Sequence, residues 1–466
     1  MKIDFSMKST KNISLALYER LLNNKFQVLT MHTGTGKTAI AVLTAGLLAH
    51  HVKQDINVFL IATRNKLDEG SWEDVIDQYN SQSKYKLNLI AKETPRGLID
   101  AKKNDDYLVR DLKQMEKEGI DTKSIKQMKK WIKQTSKETT VFIIDEVQNF
   151  KNATRKQSKS LQKLLKKSKG IGIGLSATPM SNGMVQDGIS YLVLNSLYKS
   201  ENDFKNEHIY KQYHNDKFYR PDIFLPDGRL DENRFINLDI FNNNIDKTVF
   251  IPETKIDLKL PNTNIYNKTY QLSNSTSKKI EQCNNAYKER RYDSYMQYLM
   301  DIKKLIGADE NHRNELKQII KSNDSKQPLI FYYSNEELKA IINTLNSISY
   351  EYSIINGENS IKNIDKNNVN QAIVIQYKAG GAGIEFPKSN LSIIYGLQYS
   401  WQDTEQALGR NVRSGMSHDV KQYFLISTHP HDDNVFVALK KKKEFTEEFL
   451  EKLAIKISEN YSDKLI

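Results

Sequence analysis

Nine short runs of almost unbroken apolar residues constrain this chain more than any other feature. FQVLTM (26–31), VFLIAT (58–63), VFIID (141–145) and IGIGL (171–175) fall in its first part. PLIFYY (328–333), YSIING (352–357), AIVIQY (372–377), LSIIYGL (391–397) and YFLIST (423–428) fall in its last part. A strand that is apolar on both faces needs cover on both faces, as in the middle of a parallel sheet flanked by helices. Stretches of helical spacing such as NEELKAIINTLNS lie between the runs. The pattern predicts two α/β blocks, each a parallel sheet with helices on its faces. The 466 residues suffice for two or three domains with separate cores. The expected boundaries are 1–190 for the first block, 191–325 for a linker and mainly helical insert, and 326–466 for the second block. The last of these ends in an amphipathic helix, KKKKEFTEEFLEKLAIKI.

The first run leads into MHTGTGKT (31–38) and then into an apolar helix. Strand, glycine turn and helix together make the context of a phosphate-binding loop. Gly34 and Gly36 let the backbone wrap an anion, and Thr33 and Thr35 complete the loop. Amide N–H groups at the helix N-terminus face the phosphates. Lys37 is placed to reach the β- and γ-phosphates of a nucleotide such as ATP, and Thr38 to offer a hydroxyl to Mg²⁺. Met31 stands where the usual pattern has its first glycine.

VFIIDEVQ (141–148) is a buried strand ending in two adjacent carboxylates. Asp145 is the expected Mg²⁺ holder, through water, and Glu146 the group that orients and polarises the attacking water. The alternative is an acidic turn after a strand, which the phosphate loop in the same block argues against. LSATPMSNG (175–183) puts small hydroxyl residues at another strand end, where they can bond the carboxylate pair. In the second block, YKAGGAGIEF (377–386) is a glycine-rich turn. Gly380 and Gly381 could approach a phosphate backbone, and Gly383 the nucleotide. QALGRNVRSG (406–415) spaces Gln406, Arg410 and Arg413 by four and three, one face of a helix. Arginines so placed can stabilise charge on a transferring phosphoryl group. A plain surface helix is the alternative.

The net charge is +12, and 14 basic against 3 acidic residues between 123 and 170 account for +11 of it. Lys156, Lys159 and Lys163 recur at helical spacing, with Leu161, Leu164 and Leu165 available to a core. Such a face is either simply solvated or tracks nucleic-acid phosphates. YKERRYDSYMQY (287–298) mixes arginines with tyrosines that can stack on bases or pack between helices. The single cysteine, Cys283, excludes a disulfide framework and a thiolate zinc site, and points to a reducing, intracellular (cytoplasmic) setting. No apolar run is long enough to span a membrane, and no leader is visible at the start. His429-Pro-His431-Asp432-Asp433 has metal-ligand residue types, but its proline and turn favour a loop.

Taken in order, GTGKT, DEVQ, SAT, GGAG and QALGRNVR resemble the superfamily 2 helicases and translocases. More narrowly they resemble the Swi/Snf-type branch, including viral members related to the poxviral DNA-dependent nucleoside triphosphatase. DEVQNFKN with its basic helix, GLSATPMSNG and LQYSWQDTEQALGRNVRSGMSHD carry the narrower likeness. ATRNKLDEGSWEDVI (62–76), with Arg64 and Trp72, is similar to the segment that grips one nucleic-acid strand. The likeness covers about 26–190 and 327–428. It implies two RecA-like lobes that bind ATP and Mg²⁺ between them. In that arrangement Lys37, Asp145 and Glu146 on one lobe act with Gln406, Arg410 and Arg413 on the other. It further implies a helicase, a hydrolase coupling ATP turnover to movement on single- or double-stranded DNA. The setting would be phage or viral replication, recombination or transcription, with proteins of those processes as partners. An RNA-directed helicase of the same fold is one alternative. An ATP-gated binding module without turnover is another, which degenerate catalytic residues would favour; here those residues are all present.

Overall fold

The computed structural model describes residues 5, 7–32, 34–98, 123–137, 139–153, 155–168, 170–180, 185–209, 212–214, 217–219, 236–253, 261–323, 326–356, 364–365, 368–377, 385–412, 416, 418–452 and 454–455. The chain forms two compact units, Met1–Asp257 with Phe445–Ile466, and Leu258–Glu444.

The first unit is built on a seven-stranded sheet. Its strands are β1 (Phe26–Thr30), β2 (Ile56–Ile61), β3 (Leu87–Glu93), β4 (Thr140–Asp145), β5 (Ile171–Ser176), β8 (Val249–Pro252) and β15 (Ala454–Ile455). They lie in the order β15-β8-β1-β5-β4-β2-β3, and every pairing is parallel. Alternate residues explain the unbroken apolar runs. Phe142 and Ile144 enter one core with Phe59 and Ile61, while Val141 and Ile143 enter a second with Val58 and Leu60. Helices Lys37–Val52 and Ser71–Gln82 help cover the second face, and helices Lys156–Lys167 and Ile189–Leu194 the first. A small antiparallel ribbon joins β6 (Gln212–His214) to β7 (Lys217–Tyr219).

The second unit has a six-stranded parallel sheet. Its strands are β9 (Thr263–Tyr270), β10 (Leu329–Tyr332), β11 (Tyr352–Ile355), β12 (Ala372–Gln376), β13 (Leu391–Ile394) and β14 (Val420–Ser427), in the order β11-β12-β10-β13-β14-β9. Here too Phe331 and Ile375 point into one core, and Ile330 and Val374 into the other. The two parallel-sheet lobes expected from the apolar runs are therefore present.

The expected division at 190 and 325 is not the observed one. Among its described residues the stretch between is mainly helical, with helices Glu201–His208, Leu238–Thr248, Asn274–Lys288, Tyr295–Gly307 and Glu310–Ser322. It nevertheless supplies a strand to each sheet: β8 beside β1, and β9 beside β14. Its two halves belong to different units. The C-terminal helix is Pro430–Lys452, and the alanine and isoleucine read as its end pair instead with β8 as β15. Among the described residues no helix is long and apolar enough to cross a membrane.

Candidate functional site

The phosphate loop leaves β1 at Thr30 and is tied at once to β5, because the Met31 amide donates to the Ser176 carbonyl at 3.2 Å. Gly34 and Gly36 adopt φ of 80° and 81°, the left-handed region that residues with a Cβ avoid. A Cβ built on Gly36 would meet no atom within 4 Å, so the dihedral rather than crowding demands glycine there. The Thr35 hydroxyl donates to the His32 carbonyl at 2.6 Å and tightens the turn. Helix Lys37–Val52 starts directly after Gly36, leaving first-turn amides without intrahelical acceptors and a positive dipole end at the loop. Lys37 Nζ donates to the Met31 and His32 carbonyls at 2.8 and 2.9 Å, so its cation is held at the loop itself. Thr38 is half-buried in the first helical turn. Thr33 lies outside the described residues.

The carboxylates come from the end of β4. Asp145 is its last residue and is half-buried. Glu146 follows with φ 54° and ψ 55°, an unusual conformation for a non-glycine residue. A 3₁₀ turn, Val147–Phe150, continues the chain, anchored by Val147 and Phe150, which are fully buried. The buried Gln148 amide donates to Glu146 Oε2, fixing the direction of that carboxylate. The sheet register aligns Thr30 with Ser176 and Leu175 with Asp145. The phosphate loop, the serine-threonine turn and the carboxylate pair thus leave the C-terminal ends of three consecutive strands, β1, β5 and β4. At one strand spacing each, the outer two lie about 10 Å apart. Ligands in open parallel sheets sit at such ends. Ser176 Oγ accepts from the Thr178 amide at 2.9 Å and orders that middle turn. An anion-binding helix start, a lysine, a hydroxyl and a carboxylate pair on neighbouring strand ends are a donor set that fits a nucleoside triphosphate with Mg²⁺.

Two supporting contacts escaped the sequence. Trp72 was expected against a nucleic-acid strand, but its ring is fully buried in the first unit, so no face is open for stacking. Its indole N–H instead donates to Asp145 Oδ2 at 3.3 Å. Sequence alone misses this because the two residues are 73 positions apart. Lys151, just after the 3₁₀ turn, pairs with Asp187 at 3.0 Å and links the carboxylate turn to the chain following SATP. Burial pushes the Asp187 carboxyl up to about 6, against the opposing pull of Lys151.

In the second unit the helix expected to carry Gln406, Arg410 and Arg413 on one face ends early. Helix Trp401–Leu408 holds Gln406, which is buried; Gly409–Asn411 is a 3₁₀ turn, and Val412 is extended. Gly409 is a poor helix former, and Asn411 pulls the turn onto the sheet. Asn411 Oδ1 accepts from the Ser392 hydroxyl at 3.0 Å, and its amide donates to Ser389 Oγ at 3.1 Å. Arg410 is likewise buried, and its carbonyl accepts from the Phe386 amide at 2.9 Å. Gly380, Gly381, Gly383 and Arg413 lie outside the described residues.

Helix Lys156–Lys167 has the expected two sides. Lys156 and Lys159 are exposed and Lys163 is half-buried, whereas Leu161, Leu164 and Leu165 are buried. Arg64 opens the short helix Arg64–Asp68 after β2, with its side chain largely exposed and 3.3 Å from Asp68. The histidine-aspartate run forms a helix start: Asp432 Oδ2 accepts from the Ser427 amide, and Asp432 Oδ1 lies 3.3 Å from His431 Nδ1. Among the described residues no group of three or more His, Cys, Asp or Glu is placed to hold a metal ion.

Residues 6–181 match the family described as type III restriction enzyme, res subunit, and residues 311–415 match the helicase conserved C-terminal domain. No curated protein matches the chain. The first match spans the phosphate loop, the carboxylates and the serine-threonine turn; the second spans the Gln406–Arg413 segment. With the geometry at the ends of β1, β5 and β4, these matches indicate a superfamily 2 helicase-type protein, an ATP-hydrolysing enzyme that binds nucleic acid.

Proposed function

We propose that this chain is a DNA-stimulated ATPase that translocates along DNA, in a phage or viral setting of replication, recombination or transcription. One observation carries the reading: loop, hydroxyls and carboxylates on three consecutive strand ends, with Glu146 held in a left-handed conformation by a turn anchored in the core. When bound, ATP with Mg²⁺ supplies the γ-phosphoryl group and the charge that neutralises its oxygens. Lys37 exchanges its two loop carbonyls for β- and γ-phosphate oxygens. Thr38 and Asp145 would hold the Mg²⁺ ion, and the Trp72 indole keeps Asp145 aimed. Glu146 orients the attacking water and takes its proton; its neighbour Gln148 holds the carboxylate in place. The exposed Lys156 and Lys159, with Lys163, contact phosphates of the nucleic acid. The Swi/Snf-like sequence features favour DNA over RNA.

Steady-state ATPase rates with duplex DNA, single-stranded DNA and RNA, at one salt concentration, test the proposal. DNA should stimulate turnover more than RNA, and Lys37→Ala should abolish the stimulated rate. Greater stimulation by RNA would assign the motor to RNA; full turnover in Lys37→Ala would remove the catalytic assignment altogether.

A further inference from the structure

Helices Asn274–Lys288 and Tyr295–Gly307 form a hairpin in the second unit whose core is small: Ile280, Ile302 and Ile306. Beyond that core the hairpin carries a cluster of tyrosines. Tyr298 stacks on Tyr287 with centroids 4.6 Å apart and on Tyr295 at 5.8 Å, and Tyr292 meets it edge-on at 5.6 Å. The Tyr298 hydroxyl donates to Asn284 Oδ1 at 2.7 Å, which fixes the central ring. The outer rings are open to solvent: Tyr287 is 41% and Tyr295 57% exposed, with Met296 and Met300 also exposed beside them. Packing between the two helices therefore accounts for Tyr298 but not for the outward faces of Tyr287 and Tyr295. The turn that joins the helices bears Lys288, Arg290 and Arg291, all exposed, against Glu289 and Asp293, and Arg291 pairs with Glu289 at 2.6 Å. Arg290 has φ 56°, and the amides of Arg290 and Arg291 bond back to the Tyr287 and Ala286 carbonyls, so the turn is ordered.

We propose that this hairpin is a second nucleic-acid contact, in which Tyr287 and Tyr295 stack on unpaired bases of a single strand while Lys288, Arg290 and Arg291 face its phosphates. It rests on the reading that the chain acts on nucleic acid, and adds a site and a strandedness to it. Rings already stacked on a fixed neighbour lose little freedom on taking up a base, and every base offers a π-face. A duplex hides those faces, so the occupant that fits is single-stranded. The local excess of basic side chains suits a polyanion better than an acidic protein surface.

The test uses the full chain and fluorescently labelled oligothymidylate, with a duplex of the same length beside it. Tyr287→Ala with Tyr295→Ala should weaken single-strand binding about tenfold or more. Duplex affinity and ATPase without nucleic acid should stay unchanged. The doubly Phe-substituted form should bind as the parent does. The tyrosine variant should keep the parent's salt dependence, whereas Arg290→Ser with Arg291→Ser should flatten it. Unchanged single-strand affinity in the alanine variant would overturn the proposal, as would an equal loss on duplex. Unchanged affinity with altered oligomeric state would make the patch a protein-docking face and also overturn it. If the parent bound no nucleic acid at all, the reading of the whole chain would fail, an outcome distinct from failure of this patch.

Discussion

Glu146 holds a left-handed backbone conformation that costs on the order of 1–3 kcal/mol unless its surroundings impose it. They do so here: β4 on one side and the buried Val147 and Phe150 on the other leave the residue no room to relax. Its carboxylate is steered by the Gln148 amide. If Glu146 orients and deprotonates water, Glu146→Gln should lower kcat by at least about a hundredfold with little change in nucleotide affinity. Phosphate release and fluorescent-nucleotide binding check this, and near-parental turnover would remove the residue from the mechanism. Trp72 gives a subtler prediction. Trp72→Phe keeps most of the buried volume but deletes the donor to Asp145. The Mg²⁺ concentration for half-maximal activity should rise about tenfold while thermal stability changes little. Trp72→Ala should instead cost about 3–5 kcal/mol of folding stability through the cavity it leaves. A phenylalanine variant with unaltered Mg²⁺ dependence would mean that the indole bond does not position Asp145. Asp145 and Glu146 stood out in the sequence because the phosphate loop in the same block argues against an ordinary acidic turn; the structure places Asp145 last in β4 and Glu146 directly after it. Trp72 was legible as special but not as an internal support, since only the fold brings it to Asp145.

At the scale of elements, the amphipathic helix Lys156–Lys167 was legible because lysines and leucines each keep helical spacing over three turns. Burial of Leu161, Leu164 and Leu165 fixes which side faces out. Lys156→Glu, Lys159→Glu and Lys163→Glu together should weaken DNA binding without unfolding the unit, because none of the three side chains is buried. Every phosphate that the variant leaves without its lysine should reduce the slope of log affinity against log salt by about 0.9 on duplex DNA. Titrations at several salt concentrations read that slope; an unaltered slope would leave the helix a solvated face. The segment at 406–413 was not legible, although its spacing was equally regular. Spacing reports a helix only while the backbone stays helical, and Gly409 together with the hydrogen bonds of Asn411 ends it. Edge strands failed for a different reason. β9, TNIYNKTY, is exposed along most of its length, so it has no reason to be apolar. It belongs to the sheet through backbone bonds to β14, which leave no trace in residue type.

The whole molecule shows how that blindness displaces domain boundaries. The apparent insert supplies β8, which lies between β1 and β15 in one sheet, and β9, the outer strand of the other, so the division into units falls at about 257 rather than at 190 and 325. The two units also differ in their response to acid. In the second unit His312 is completely buried and stacks on Tyr395 at 3.8 Å; burial lowers its pKa to about 4, against the opposing pull of Asp432. A histidine with a depressed folded pKa contributes stability above its unfolded pKa, and that contribution disappears as pH falls from about 6.5 to about 4. In the first unit Asp187 has a raised pKa of about 6, so it favours folding below its unfolded value. That contribution disappears as pH rises through about 6. Each of the two is on the order of 3 kcal/mol, and between pH 6 and 4 they run in opposite directions. The second unit should therefore unfold first on acidification. A variant retaining Trp401 as its sole tryptophan, with Trp72 and Trp131 replaced by Phe, reports on that unit by its emission. His312→Phe keeps a ring against Tyr395 but cannot titrate. It should move the acid midpoint of the Trp401 signal downward and leave the neutral-pH signal in place. A midpoint that stayed where it was would show that a buried carboxylate with a lowered pKa, such as Asp432, governs the acid limb.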